Sequence, residues 1–145
     1  MTASSGIGIA CVPGPLLLAG WRLFAPLLAK GAAAARVSLD ETVALILADR
    51  HRLWVVTDRD GVIGVFLTTI GDVDGARALG VHGLAGGKIR AWAARMGGLM
   101  CDLARTEGCR TVRFAGRPGW GRIVPDFKPI GRHPSGVTIF ERAAT

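Results

Sequence analysis

The chain has 145 residues, half of them apolar, no tyrosine, and a formal net charge of +7. That length suits a single domain over 1–145, and so much apolar material excludes a wholly disordered chain. Cys11, Cys101 and Cys109 form no paired spacing and His51, His82 and His133 are scattered, which points away from a disulfide framework and from any metal site.

Ile7, Ile9 and Cys11 alternate with small residues and predict a short first strand, stopped by Pro13-Gly14-Pro15. Residues 1–19 are read as that strand or as an N-terminal arm. From Met1 to Trp21 there is no charge, so the basic start of a secretory signal is missing. Pro13, Pro15, Arg22, Pro26 and Lys30 interrupt the run of about 20 apolar residues that a membrane span needs, so no membrane role is expected. Leu17, Trp21, Phe24 and Leu28 recur at helical spacing. Ser38-Leu39-Asp40-Glu41 is a capping box opening a second helix that runs to about Asp49.

The period then shortens. Leu53 to Thr57 and Val62 to Leu67 are β-branched and aromatic runs joined by Asp58-Arg59-Asp60-Gly61, the pattern of a hairpin. Asp72, Asp74 and Gly75 mark a loop, and Leu79 to Leu84 reads as a strand. Lys88 to Glu107 is the longest helical pattern, with Ile89, Trp92, Ala93, Met96, Leu99, Met100 and Leu103 assigned to one buried face and Gly108 to its left-handed cap. Gly97 and Gly98 weaken that helix and imply close packing. Thr111 to Phe114 predicts a strand, Gly116 to Trp120 a turn into a short helix through Ile123 and Val124, and Val137 to Phe140 a closing strand.

This order resembles that of the GNAT N-acetyltransferases, which implies an α/β (α+β) fold with a central mixed, mostly antiparallel sheet flanked by helices. Leu53-Trp54-Val55-Val56, Trp92, Ala104 to Cys109 and Gly116-Arg117-Pro118-Gly119-Trp120 carry a narrower likeness, over about residues 20–142, to small GNAT-like proteins of tailed bacteriophages. Some of those are virion components. The narrower likeness implies a non-catalytic assembly protein, located in the virion or the host cytoplasm and acting through contacts with other protein chains; the broader one implies an acetyl-CoA-dependent N-acetyltransferase.

The family holds the donor's pyrophosphate where its long helix begins, because unpaired N–H groups and the helix dipole favour an anion there. Its Gln/Arg-x-x-Gly-x-Gly/Ala motif aligns with His82-Gly83-Leu84-Ala85-Gly86-Gly87, which keeps the last glycine alone. Gly86, Gly87 and Lys88 are therefore the candidate cofactor residues, set against a plain strand-to-helix turn. The erosion predicts weak or absent acetyl-CoA binding and no cofactor outside the enzyme reading. His82 is the candidate general base; the absence of tyrosine removes the usual acid. His51 and His133 adjoin arginines and read as surface.

Charge is divided unevenly. Residues 1–87 hold seven Lys/Arg and seven Asp/Glu, and residues 88–145 hold eleven against four, so the second part carries the whole excess (11 − 4 = +7). Arg117, Trp120 and Arg132 are the candidate partner contacts, Trp120 being weighed also as a plug at the core edge. A contact built on Arg-bearing loops and on the apolar residues before about Leu28 is expected. Direct nucleic-acid binding is the weaker expectation, since no helix-turn-helix, RNP or zinc pattern accompanies the arginines.

Overall fold

The computed structural model describes residues 6–144. Among them a seven-stranded sheet runs in the order β1-β2-β3-β4-β5-β7-β6. The elements are β1 (Gly8–Val12), α1 (Gly14–Ala19), α2 (Trp21–Ala35), α3 (Leu39–Leu47), β2 (Arg52–Asp58), β3 (Gly61–Val73), β4 (Ala76–Gly86), α4 (Ile89–Thr106), β5 (Thr111–Gly116), α5 (Trp120–Ile123), β6 (Lys128–Arg132) and β7 (Thr138–Ala143). The β1/β2, β2/β3, β5/β7 and β6/β7 ladders are antiparallel, and β4/β5 is parallel. This is the mixed, mostly antiparallel sheet flanked by helices that the element order implied.

The chain gathers into two compact units, residues 6–69 with 82–91, and residues 70–81 with 92–144. In the first, Val12, Leu17, Phe24, Leu28, Ile46, Leu53, Val65, Leu67 and Ala85 form one buried cluster. Ser38 caps α3 by accepting from the Glu41 N–H at 2.9 Å, and Gly61 takes the positive φ of 121° required in the β2–β3 turn. The Trp54 indole donates to Thr68 Oγ1 at 2.9 Å across the hairpin, satisfying two buried polar groups together. Helix α2 continues through Pro26. Its buried Gly31 lies so close to β4 that a Cβ there would stand 2.3 Å from the Gly83 carbonyl oxygen.

In the second unit, Phe114 of β5 stacks on Phe140 of β7 at 5.0 Å and meets the edges of Phe127 and Trp120 at 5.2 and 5.6 Å. Arg113 Nε donates to Glu141 Oε2 at 2.6 Å. Gly108, at φ 75°, ends α4 in the left-handed conformation, as its position in the sequence required.

Three sequence expectations need correction. Leu99 does not belong to the buried face of α4: it is 37% exposed, while Trp92, Ala93, Met96, Gly97, Met100, Cys101 and Ala104 are buried. At about 100° per residue, the centre of that buried arc lies toward the small residues, and Leu99 falls roughly 110° away from it. The residues Asp72, Asp74 and Gly75 do not form a loop, because β3 extends to Val73 and only Asp74-Gly75 turn into β4. A strand absent from the sequence reading, β6, lies at the sheet edge with all five residues exposed.

Candidate functional site

The parallel β4/β5 ladder ends at Val81↔Phe114, and β4 runs on through His82 to Gly86 before α4 begins at Ile89. His82 heads this run. Its ring meets that of His51 edge to face, with centroids 4.6 Å apart and planes at 81°. His82 Nε2 and His51 Nδ1 are both buried and have no hydrogen-bond partner among the described residues. Burial first, then the neighbouring His51, pushes the His82 pKa down to about 4; burial also lowers that of His51. Near neutral pH the two rings are therefore uncharged, and each keeps a nitrogen to offer. His51 is not the surface residue that its arginine neighbours suggested.

The backbone beside His82 is pinned. Gly83 has φ +60°, and a Cβ on it would come within 2.9 Å of Leu67 Cδ1, while Gly31 of α2 closes on its carbonyl. Farther along, Gly86 has φ +139°, and a Cβ would stand 2.3 Å from the Ile63 carbonyl oxygen and 2.5 Å from Gly64 Cα. The Gly87 N–H donates to that same Ile63 oxygen at 2.9 Å. Glycine is thus favoured at 83 and 86 by conformation, and at 86 it is demanded also by close approach to backbone.

Lys88 follows in the left-handed region, at φ 54°. Its Nζ donates to Asp58 Oδ2 at 2.8 Å and lies 4.0 Å from Asp60 Oδ2. Asp58 also accepts from the Asp60 N–H through Oδ1 at 2.8 Å. The hydrogen bond from Lys88 is the main reason that the Asp58 carboxyl titrates below its usual range, and the same bond raises Lys88. Beyond it, α4 has no acidic residue in its first turn, and Arg90 is exposed there. Neither Asp58 nor His51 was singled out by the sequence. An acid two residues before another in a tight turn was the available signal for Asp58; nothing local marked His51.

The fold is that of the GNAT acetyltransferases. A probable acetyltransferase from Staphylococcus epidermidis superposes with a TM-score of 0.71 at 8% identity, covering 96% of this chain and 99% of that one. An aminoglycoside 6'-acetyltransferase type Ii gives 0.69 at 13% identity, with 95% and 97% covered. FeeM, an N-acyl amino acid synthase from uncultured soil microbes, gives 0.67 at 10% identity, with 95% and 90% covered. No family model and no curated protein sequence matches the chain.

The remaining sequence candidates separate. Arg117 is exposed in the turn before α5, and Arg132 is exposed at the end of β6. Trp120 is half-buried against Phe114, and a Cβ on Gly116 would come within 2.7 Å of its Cδ1. Among the described residues no group of three or more His, Cys, Asp or Glu could hold a metal ion, and no helix is long and apolar enough to cross a membrane.

Proposed function

We propose that the chain is an N-acyltransferase using an acyl-coenzyme A donor, acetyl-CoA being the simplest. The observation that carries this reading is His82, a neutral imidazole with a buried, unpartnered nitrogen on the stretch of β4 between the end of the β5 ladder and the start of α4. The residues fit such a donor. No atom lies within 4 Å of where a Cβ on Gly87 would point, so that side of the turn is open. The first turn of α4 holds Arg90 and no carboxylate to repel phosphate. Gly86, Gly87, Lys88 and Arg90 would hold the pyrophosphate, with fewer donors than the family motif supplies, because the Gly87 N–H is committed to Ile63 and Lys88 to Asp58. When bound, the donor would supply an activated thioester.

His82 would accept a hydrogen bond from the acceptor amine and orient it once the surrounding side chains shift to uncover its nitrogen, which has no exposed surface in this conformation. With a pKa near 4, it is too weak a base to strip an ammonium at neutral pH, so the amine must arrive uncharged. No tyrosine exists to protonate the departing thiolate, and slow turnover is expected. Titration calorimetry with acetyl-CoA should give a dissociation constant between about 1 µM and 1 mM, the usual span of enzyme substrate constants, and thiol release with small amines should fall in His82→Ala. A folded protein that shows no heat and no thiol release with acetyl-CoA at the top of that range overturns the proposal.

A second reading, a protein component of a larger particle, is favoured by one observation. Strand β6 is a sheet edge with every residue exposed, bearing Lys128 and Arg132 at its ends, and an exposed edge can take up a strand from another chain. The likeness to phage proteins is the ground for placing that partner in a virion.

A further inference from the structure

From Val12 to Val37 the sequence contains only apolar residues, glycine, proline and three cations, Arg22, Lys30 and Arg36; the first carboxylate is Asp40. Helices α1 and α2 occupy most of this stretch. Their inner faces are spent on the core through Leu17, Phe24, Leu28, Gly31 and Ala32. Their outer side leaves Leu16, Leu18 and Leu23 at 56, 60 and 63% exposed, so more than half of each side chain faces solvent. Arg22, Lys30 and Arg36 are exposed as well. Leu23 and Lys30 are seven residues apart, two helical turns, and so lie on one line along α2.

We infer that the outer side of α1 and α2 docks on an anionic lipid surface, with Leu16, Leu18 and Leu23 entering the boundary between headgroups and acyl chains and the three cations meeting lipid phosphates. The composition separates this occupant from a protein. A protein interface carries roughly one hydrogen bond per 100–200 Å², with donors and acceptors on both sides; this stretch has no side-chain acceptor, and its donors other than Trp21 are the three cations, which suit phosphate. An anionic membrane asks for what is present: aliphatic side chains, basic residues whose stems can lie along them, and no carboxylate to be repelled. Contact of this sort lies on the bilayer without spanning it, in keeping with the absence of any long apolar helix among the described residues.

Co-sedimentation of the full chain with vesicles tests this, using phosphatidylcholine alone and phosphatidylcholine with a quarter phosphatidylserine, at low and high salt. Binding is expected to the anionic vesicles only, weakening by about fivefold for each cation removed in Arg22→Gln, Lys30→Gln or Arg36→Gln and falling as salt rises. The triple variant Leu16→Ser, Leu18→Ser, Leu23→Ser should lose binding while keeping the parent's circular dichroism and a cooperative melt, since more than half of each side chain faces solvent. No binding of the parent to anionic vesicles overturns the inference. So does undiminished binding by the triple variant, or a self-associated parent that becomes monomeric in the triple variant without ever binding vesicles.

Discussion

Replacing Gly31 by alanine is the sharpest test of how the first unit is assembled. The new Cβ would stand 2.3 Å from the Gly83 carbonyl oxygen, 2.9 Å from its carbon and 3.3 Å from its Cα, all backbone atoms of β4. Ordinary contact begins near 3.4 Å, so helix and strand must part by about 1.1 Å (3.4 − 2.3). A rotamer change cannot absorb that. Leu28, 1% exposed, and Phe24, 8% exposed, sit on the same helix face and would lose contacts as it lifts. Overpacking of this kind costs about 1–3 kcal/mol, and unyielding backbone puts the site at the upper end. Alanine returns about 1 kcal/mol of helix propensity, leaving a net loss of about 2 kcal/mol. Gly98 is the internal control. It too is a mid-helix glycine, but no atom lies within 4 Å of its absent Cβ, so Gly98→Ala should stabilise by about 0.5–1 kcal/mol. Gly97 falls between: its Cβ would meet Phe127 Cε1 at 2.9 Å and the next ring atom only at 3.7 Å, a contact that a small tilt of the ring relieves. Urea unfolding followed by tryptophan fluorescence should show midpoints ordered Gly31→Ala, Gly97→Ala, parent, Gly98→Ala, with unchanged m-values. A Gly31→Ala protein within 0.5 kcal/mol of the parent would refute the close approach of α2 to β4.

Stability should also fall in mild acid through the histidine pair. Folded His82 titrates near 4 against an ordinary 6.5, so between those values the unfolded chain binds the extra proton. Stability is complete above 6.5 and declines by at most about 1.4 kcal/mol per pH unit as pH drops toward 4, with His51 adding in the same direction. Urea titrations at pH 7 and pH 5 should show a smaller loss in His82→Gln than in the parent, and equal losses would mean that His82 is solvated. On α4, Met100→Ala should cost about 2–5 kcal/mol because Met100 is fully buried, whereas Leu99→Ala, at a partly exposed position, should cost under about 1 kcal/mol. Thermal melts that reversed this order would restore the helix phase suggested by the large apolar residues alone.

What the sequence made legible was local. The cap at Ser38, the turn at Asp58 to Gly61 and the left-handed Gly108 depend on a few neighbouring residues, and each is formed as its residue types dictate. The phase of α4 was misjudged because apolar bulk was weighed and smallness was not: Ala93, Gly97, Cys101 and Ala104 mark the packed side, and Leu99 merely looked buried. Strand β6, Lys-Pro-Ile-Gly-Arg, has neither alternation nor β-branched enrichment beyond Ile130, and it is a strand only because β7 pairs with it. Such a strand is defined by its partner and leaves almost no trace in its own residues.

The candidate site divides in the same way. Its glycines and Lys88 could be located from their place between a strand and a long helix, but what they do is decided by residues about 24 to 30 positions earlier in the chain. Ile63 accepts the Gly87 N–H, and Asp58 holds Lys88. The turn at the start of α4 is therefore shaped by the β2–β3 hairpin before any ligand arrives. A preshaped turn spares a ligand the cost of ordering it, yet the same contacts occupy two of the groups that an anion would want. In bound form, Lys88 must share its charge between Asp58 and phosphate, which lowers the attraction relative to a free ammonium. His82 stands in the opposite condition: its nitrogen is engaged with nothing but is closed off from solvent, so a ligand N–H would gain a hydrogen bond there without displacing one only after the side chains over it move aside. With His82 receiving the acceptor amine as proposed, thiol release should distinguish this chain from its His82→Ala variant more sharply than acetyl-CoA binding does.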